Sequence, residues 1–147
     1  MNLKNYTSTV SPMQSVARIE KCLVAIGASN ISKTYDNGDL IGIVFQIQDD
    51  AYPCVFKLPA NVKAVEEQFM AQVKRPRKGT LAMVKQQAER TAWKLLLDWV
   101  EVQMSLVQIS RRKVIEVFLP YVYNFNTDQT FYERLEAGGF KQLASGK

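Results

Sequence analysis

At 147 residues, 47% hydrophobic and 22% charged, the chain has the length and balance of one globular domain able to bury about two thirds of its unfolded surface. That composition excludes a disordered segment, and a net charge of +5 points only weakly to polyanions. Histidine is absent and there are two cysteines, which excludes Ser-His-Asp and Cys-His chemistry within the chain and the usual zinc sites.

The stretch from Met1 to Ser11 is polar and lacks the apolar core of a signal peptide. Nowhere does an apolar run approach the ~20 residues that span a bilayer, so a soluble cytosolic protein with no membrane partner is expected. Residues 1–10 and 144–147 are expected to be flexible ends of a single domain. Ser11-Pro12-Met13-Gln14 reads as a capped helix start. Val16, Ile19, Leu23 and Ile26 then recur at helical spacing up to Gly27, which predicts a helix over 12–26.

A three-stranded meander is predicted over 30–58. Asn30 to Tyr35 is the first strand, and Asn37-Gly38 is a type I′ hairpin turn, which needs positive φ twice. Ile41, Ile43, Phe45 and Ile47 alternate as the second strand; Asp49-Asp50 marks the next turn. Tyr52, Cys54, Phe56 and Leu58 alternate as the third, where Pro53 implies an edge or a strand start. Asp36, Asp39, Asp49 and Asp50 are explained by turn chemistry, and no metal or cofactor is expected. Cys22 and Cys54 read as reduced core thiols.

Pro59-Ala60-Asn61 opens a second helix with Val62, Val65, Phe69 and Val73 as its buried stripe, ended by Pro76 and Gly79. Thr80 caps a third helix running to Ile109. One stripe of it is Leu81, Val84, Ala88, Ala92, Leu95, Trp99, Val102 and Leu106. A second, roughly opposite, is Trp93, Leu97, Val100 and Met104, above a narrow polar sector of Gln87, Arg90, Thr91, Lys94, Asp98, Glu101 and Ser105. A helix apolar on two faces must be covered on both. The second stripe is therefore expected to form the interface of a homo-oligomer, a dimer or higher, with cover by Val114–Leu119 or 121–125 as the internal alternative. A short helix over Val114–Leu119, an extended segment Tyr121–Phe125 and a short helix Thr130–Ala137 closed by Gly138-Gly139 complete an α+β fold.

Positive charge is concentrated. From Lys74 to Lys94 seven basic residues (Lys74, Arg75, Arg77, Lys78, Lys85, Arg90 and Lys94) face Glu89 alone, which leaves −1 for the rest of the chain. Lys74-Arg75-Pro76-Arg77-Lys78-Gly79 reads as an exposed loop ahead of a helix N-terminus, a setting that favours phosphate. Arg90 and Lys94 either extend that track or pair with Asp98 and Glu101. Arg111-Arg112-Lys113 is a second cluster, at a helix C-terminus or on the same ligand. Tyr121, Tyr123 and Phe125 alternate as rings that pack or stack on bases.

Gln87-Ala88-Glu89-Arg90-Thr91-Ala92-Trp93-Lys94, Asp98-Trp99-Val100-Glu101-Val102-Gln103, Glu116-Val117-Phe118-Leu119-Pro120-Tyr121 and Phe56-Lys57-Leu58-Pro59 form a distinctive set. Over about residues 10–140 the chain resembles a family of small proteins of tailed phages and prophages. The likeness implies a phage source and brings no activity with it. The order of three strands then a long helix is also similar to the core of phage single-strand annealing proteins, a likeness of element order alone. The expected function is a non-enzymatic phage accessory protein that binds nucleic acid, single-stranded above all. The alternative is an anti-defence protein that binds a host protein or a phosphate-bearing signal nucleotide.

Overall fold

Ser11 opens the first helix, α1 (Pro12–Ala25), through the predicted capping box. Its hydroxyl accepts from the Gln14 N–H at 3.2 Å, and the Gln14 side chain accepts from the Ser11 N–H at 3.2 Å. Val16, Ile19 and Leu23 form its buried stripe. Gly27, at φ +92, takes the left-handed conformation that ends the helix and turns the chain straight into β1 (Ala28–Asp36), a longer strand than the spacing predicts. This computed structural model describes residues 2–48, 53–110 and 113–144.

Asn37 (φ 49) and Gly38 (φ 83) make the two-residue turn, with Asp36 opposite Asp39, and lead into β2 (Asp39–Gln48). The third strand, β3 (Pro53–Pro59), completes an antiparallel sheet in the order β1-β2-β3. Pro53 is its first residue, at the edge, where a missing N–H costs least. The predicted turn at Asp49-Asp50 and the ring of Tyr52 lie outside the described residues. Ile43, Phe45, Ile47, Phe56 and Leu58 fill one face. At Gly42 a Cβ would stand 2.8 Å from the Leu58 carbonyl oxygen, so only glycine fits this close approach of β2 and β3.

Helix α2 (Val62–Ala71) and helix α3 (Thr80–Ser110) follow, and α3 packs against both α1 and α2. At 31 residues α3 is roughly 46 Å long. Trp93, Leu97 and Val100 are 0–1% exposed, in one cluster with the sheet residues, and the Trp93 indole donates to the Leu40 carbonyl at 3.2 Å. This corrects the expected oligomer interface. Trp93, Leu97 and Val100 are already buried in the chain's own core, so a second copy has nothing to bury there, and Met104 packs half-buried at the margin of the same core. Of the other stripe Ala88 and Ala92 are buried, whereas Leu81 and Val102 face solvent. Two apolar stripes on one helix do not say which of them meets the sheet.

The polar sector of α3 has its own cover, the N-terminal segment expected to be flexible. Asn5 Nδ2 donates to Asp98 at 2.9 Å, the Thr91 hydroxyl donates to the Asn5 carbonyl at 2.9 Å, and Gln87 and Arg90 both donate to the Ser8 carbonyl. Lys4 and Lys94 close ion pairs on the same Asp98 carboxylate. Burial alone would raise this carboxyl, but hydrogen bonds from Lys94, Asn5 and Lys4 outweigh it and hold it well below the ordinary carboxylate range. A group held low in the fold stabilises it fully above the unfolded value of about 3.9, and that contribution is lost progressively as pH falls from there toward the depressed folded-state value. Asp98→Asn should therefore lower the melting temperature by about 3–5 °C at neutral pH, with the deficit shrinking progressively as pH falls well below ~3. Thermal melts across pH check this; a deficit that stays constant down to low pH contradicts it.

After α3 come α4 (Val114–Phe118), a 3-10 turn at Leu119–Tyr121 and a small hairpin of β4 (Tyr123–Asn124) with β5 (Gln129–Thr130). A capping box on Thr130 then starts α5 (Phe131–Ala137). Only two residues of the predicted extended segment are strand. Val122 bridges to Phe56, so this C-terminal unit adjoins the β3 edge. Phe118 anchors it among Phe45, Phe56 and Trp99, with ring centroids 5.6–5.8 Å away. Cys22 and Cys54 are free and half-buried, and burial, then the Glu101 carboxylate, pushes the Cys22 thiol up.

Candidate polyanion-binding site

The loop 72–79 is fixed at its base and open at its side chains. The Arg77 N–H donates to the Thr80 hydroxyl at 2.8 Å, the Thr80 N–H donates to the Arg77 carbonyl at 3.1 Å, and Gly79 takes φ +88 to enter α3. Pro76 fixes one more backbone angle. Lys74, Arg75, Arg77 and Lys78 are all exposed, and none forms an ion pair among the described residues. Four cations on a loop whose backbone is already held, ahead of the positive end of a long helix, can take up phosphates at little backbone ordering cost.

The remaining cations of the same run have partners within the chain. Lys85 pairs with Asp39 at 2.9 Å across the β1–β2 turn. Close by, the Glu89 carboxyl is pushed up by burial, then by Asp39 and Glu66, against the pull of Lys85 and Arg90. Arg90 donates to the Ser8 carbonyl at 3.3 Å and to the Gln87 amide oxygen at 2.8 Å, and Lys94 is bound to Asp98. The predicted track of seven thus divides into four outward cations, unpaired among the described residues, and three with partners within the chain. Lys113 is exposed at the start of α4; Arg111 and Arg112 lie outside the described residues.

Beside the loop is a hollow of about 390 Å³, lined by Tyr6, Phe69, Met83, Gln86 and Arg90 among others. The sequence singles out neither Tyr6 nor this hollow, because residues 1–10 have no periodic pattern and meet α3 only through long-range bonds. The aromatic residues it does single out lie elsewhere. Tyr121 packs on Trp99, with centroids 5.6 Å apart, about 28 Å along α3 from Thr80. The Tyr123 hydroxyl bonds Asp128 and its ring lies under Lys57, and Phe125 stands exposed against Tyr123. Among the described residues no group of three or more acidic or thiol side chains is placed to hold a metal, and no helix is long and apolar enough to cross a membrane. Compared with protein-family models, curated proteins and solved structures, the chain matches none.

Proposed function

We propose that the chain binds nucleic acid, single strands by preference, through the phosphate backbone at the loop 72–79, and that it does so as a non-enzymatic accessory protein of a phage. The phage setting rests on the sequence strings quoted above. One observation carries the binding reading: Lys74, Arg75, Arg77 and Lys78 are exposed together with no acidic partner among the described residues. Exposed cations of this kind exchange their hydration and the counterions of a polyanion for direct phosphate contacts.

The test is the reversal of all four to glutamate in the full chain. The substitutions lie on solvent-facing side chains, so circular dichroism and the melting temperature should change little. Affinity for a single-stranded oligodeoxynucleotide at low salt should fall on the order of 100-fold. Equal binding by the wild type and the reversed variant would sink the reading.

A further inference from the structure

A phosphate-binding loop alone does not prefer single strands, since a duplex presents phosphates too. The hollow beside it supplies a reason. Tyr6 is 45% exposed and Met83 72% exposed, although both border a concave surface whose floor is the half-buried Phe69. The rest of its lining is mostly polar, with Gln86, Gln87 and Arg90. Gln87 and Arg90 are held by each other and by Ser8, whereas the Gln86 carboxamide makes no hydrogen bond among the described residues. The Met83 N–H donates to the Gly79 carbonyl at 3.1 Å, so the hollow begins one helical turn, about 5–6 Å, from the end of the basic loop.

We propose that this hollow is a base-binding subsite for an unpaired nucleobase. The inference rests on the phosphate-binding reading of the loop. The base stacks on the Tyr6 ring against Met83 and hydrogen-bonds the Gln86 amide, while its flanking phosphates lie on Lys74, Arg75, Arg77 and Lys78. A lining that combines aromatic rings with side-chain amides suits a planar ring with polar edges, and the unpaired cations next to it suit that ring's phosphates. Bases paired and stacked in a duplex cannot enter, which is how the site selects single strands.

Two probes separate base from phosphate: an oligothymidylate of about 20 nucleotides and an abasic phosphodiester oligomer of equal length. The wild type should bind the first about ten-fold more tightly than the second. Tyr6→Ala should erase that difference and leave abasic binding unchanged, Tyr6→Phe should keep it, and Met83→Ala, at a solvent-facing position, should reduce it in part. Equal affinity of the wild type for both probes, or a difference that survives Tyr6→Ala, overturns the subsite and leaves the loop reading standing. Failure of both probes to bind the wild type overturns both.

Discussion

Replacing Leu97 with glutamate is expected to leave no folded protein. Leu97 is fully buried in the centre of α3, between Trp93 and Val100 and in one cluster with Ile43, Phe45 and Leu58 of the sheet. The substitution removes a core side chain worth about 2–5 kcal/mol and adds a carboxylate with no partner, whose burial costs several kcal/mol more. Together these approach or exceed the whole stability of a domain this size, about 5–15 kcal/mol. Far-UV circular dichroism and light scattering of the purified variant check the outcome. A soluble, helical Leu97→Glu monomer would return this stripe to the surface and revive an interface there.

The next largest effect is expected from Phe118→Ala. The ring is fully buried and touches Phe45, Phe56 and Trp99, which makes it the one side chain of α4 that reaches the middle of the core. Its loss should cost about 3–5 kcal/mol, because three aromatic residues and a sheet cannot close over the vacated volume. The C-terminal unit, joined to β3 through the Val122–Phe56 bridge, should lose its hold at the same time. Denaturant unfolding reads the cost, and limited proteolysis reads the loosening beyond Leu119. A cost below about 1 kcal/mol with unchanged proteolysis contradicts this account of the core.

Local chemistry carried most of the fold into the sequence. Asn37-Gly38 specifies its turn because both residues tolerate positive φ, and it sets Asp36 opposite Asp39 and Tyr35 opposite Leu40, while alternation along β2 places Ile43, Phe45 and Ile47 on one face. The cap at Ser11 is legible from four residues, whereas Thr130, read as the first residue of a helix, is in the structure its N-cap. The orientation of α3 is not legible, since both of its stripes are apolar and only the packed sheet decides between them. The role of residues 2–10 is hidden for another reason. Asn5 and Ser8 bond partners more than 75 positions away, and no periodicity announces such contacts.

The site was legible to the same extent. The Pro- and Gly-bounded loop declares its own exposure, so Lys74, Arg75, Arg77 and Lys78 stand where their sequence places them. The pairing of Lys94 with Asp98, one turn on, is the alternative that i, i+4 spacing offers. Arg90 on Ser8 and Lys85 on Asp39 are long-range, and they divide a uniform basic run into a structural part and an outward one.

Binding at the loop is the central claim, and the salt dependence of wild-type affinity for an oligothymidylate tests it most directly. Each phosphate neutralised releases a fraction of a counterion, about 0.7 on a single strand. Four engaged side chains therefore predict a log–log slope of about −3 between roughly 50 and 200 mM salt, flattened in the variant with all four reversed. No binding at about 50 mM, or a wild-type slope near zero, would contradict the account.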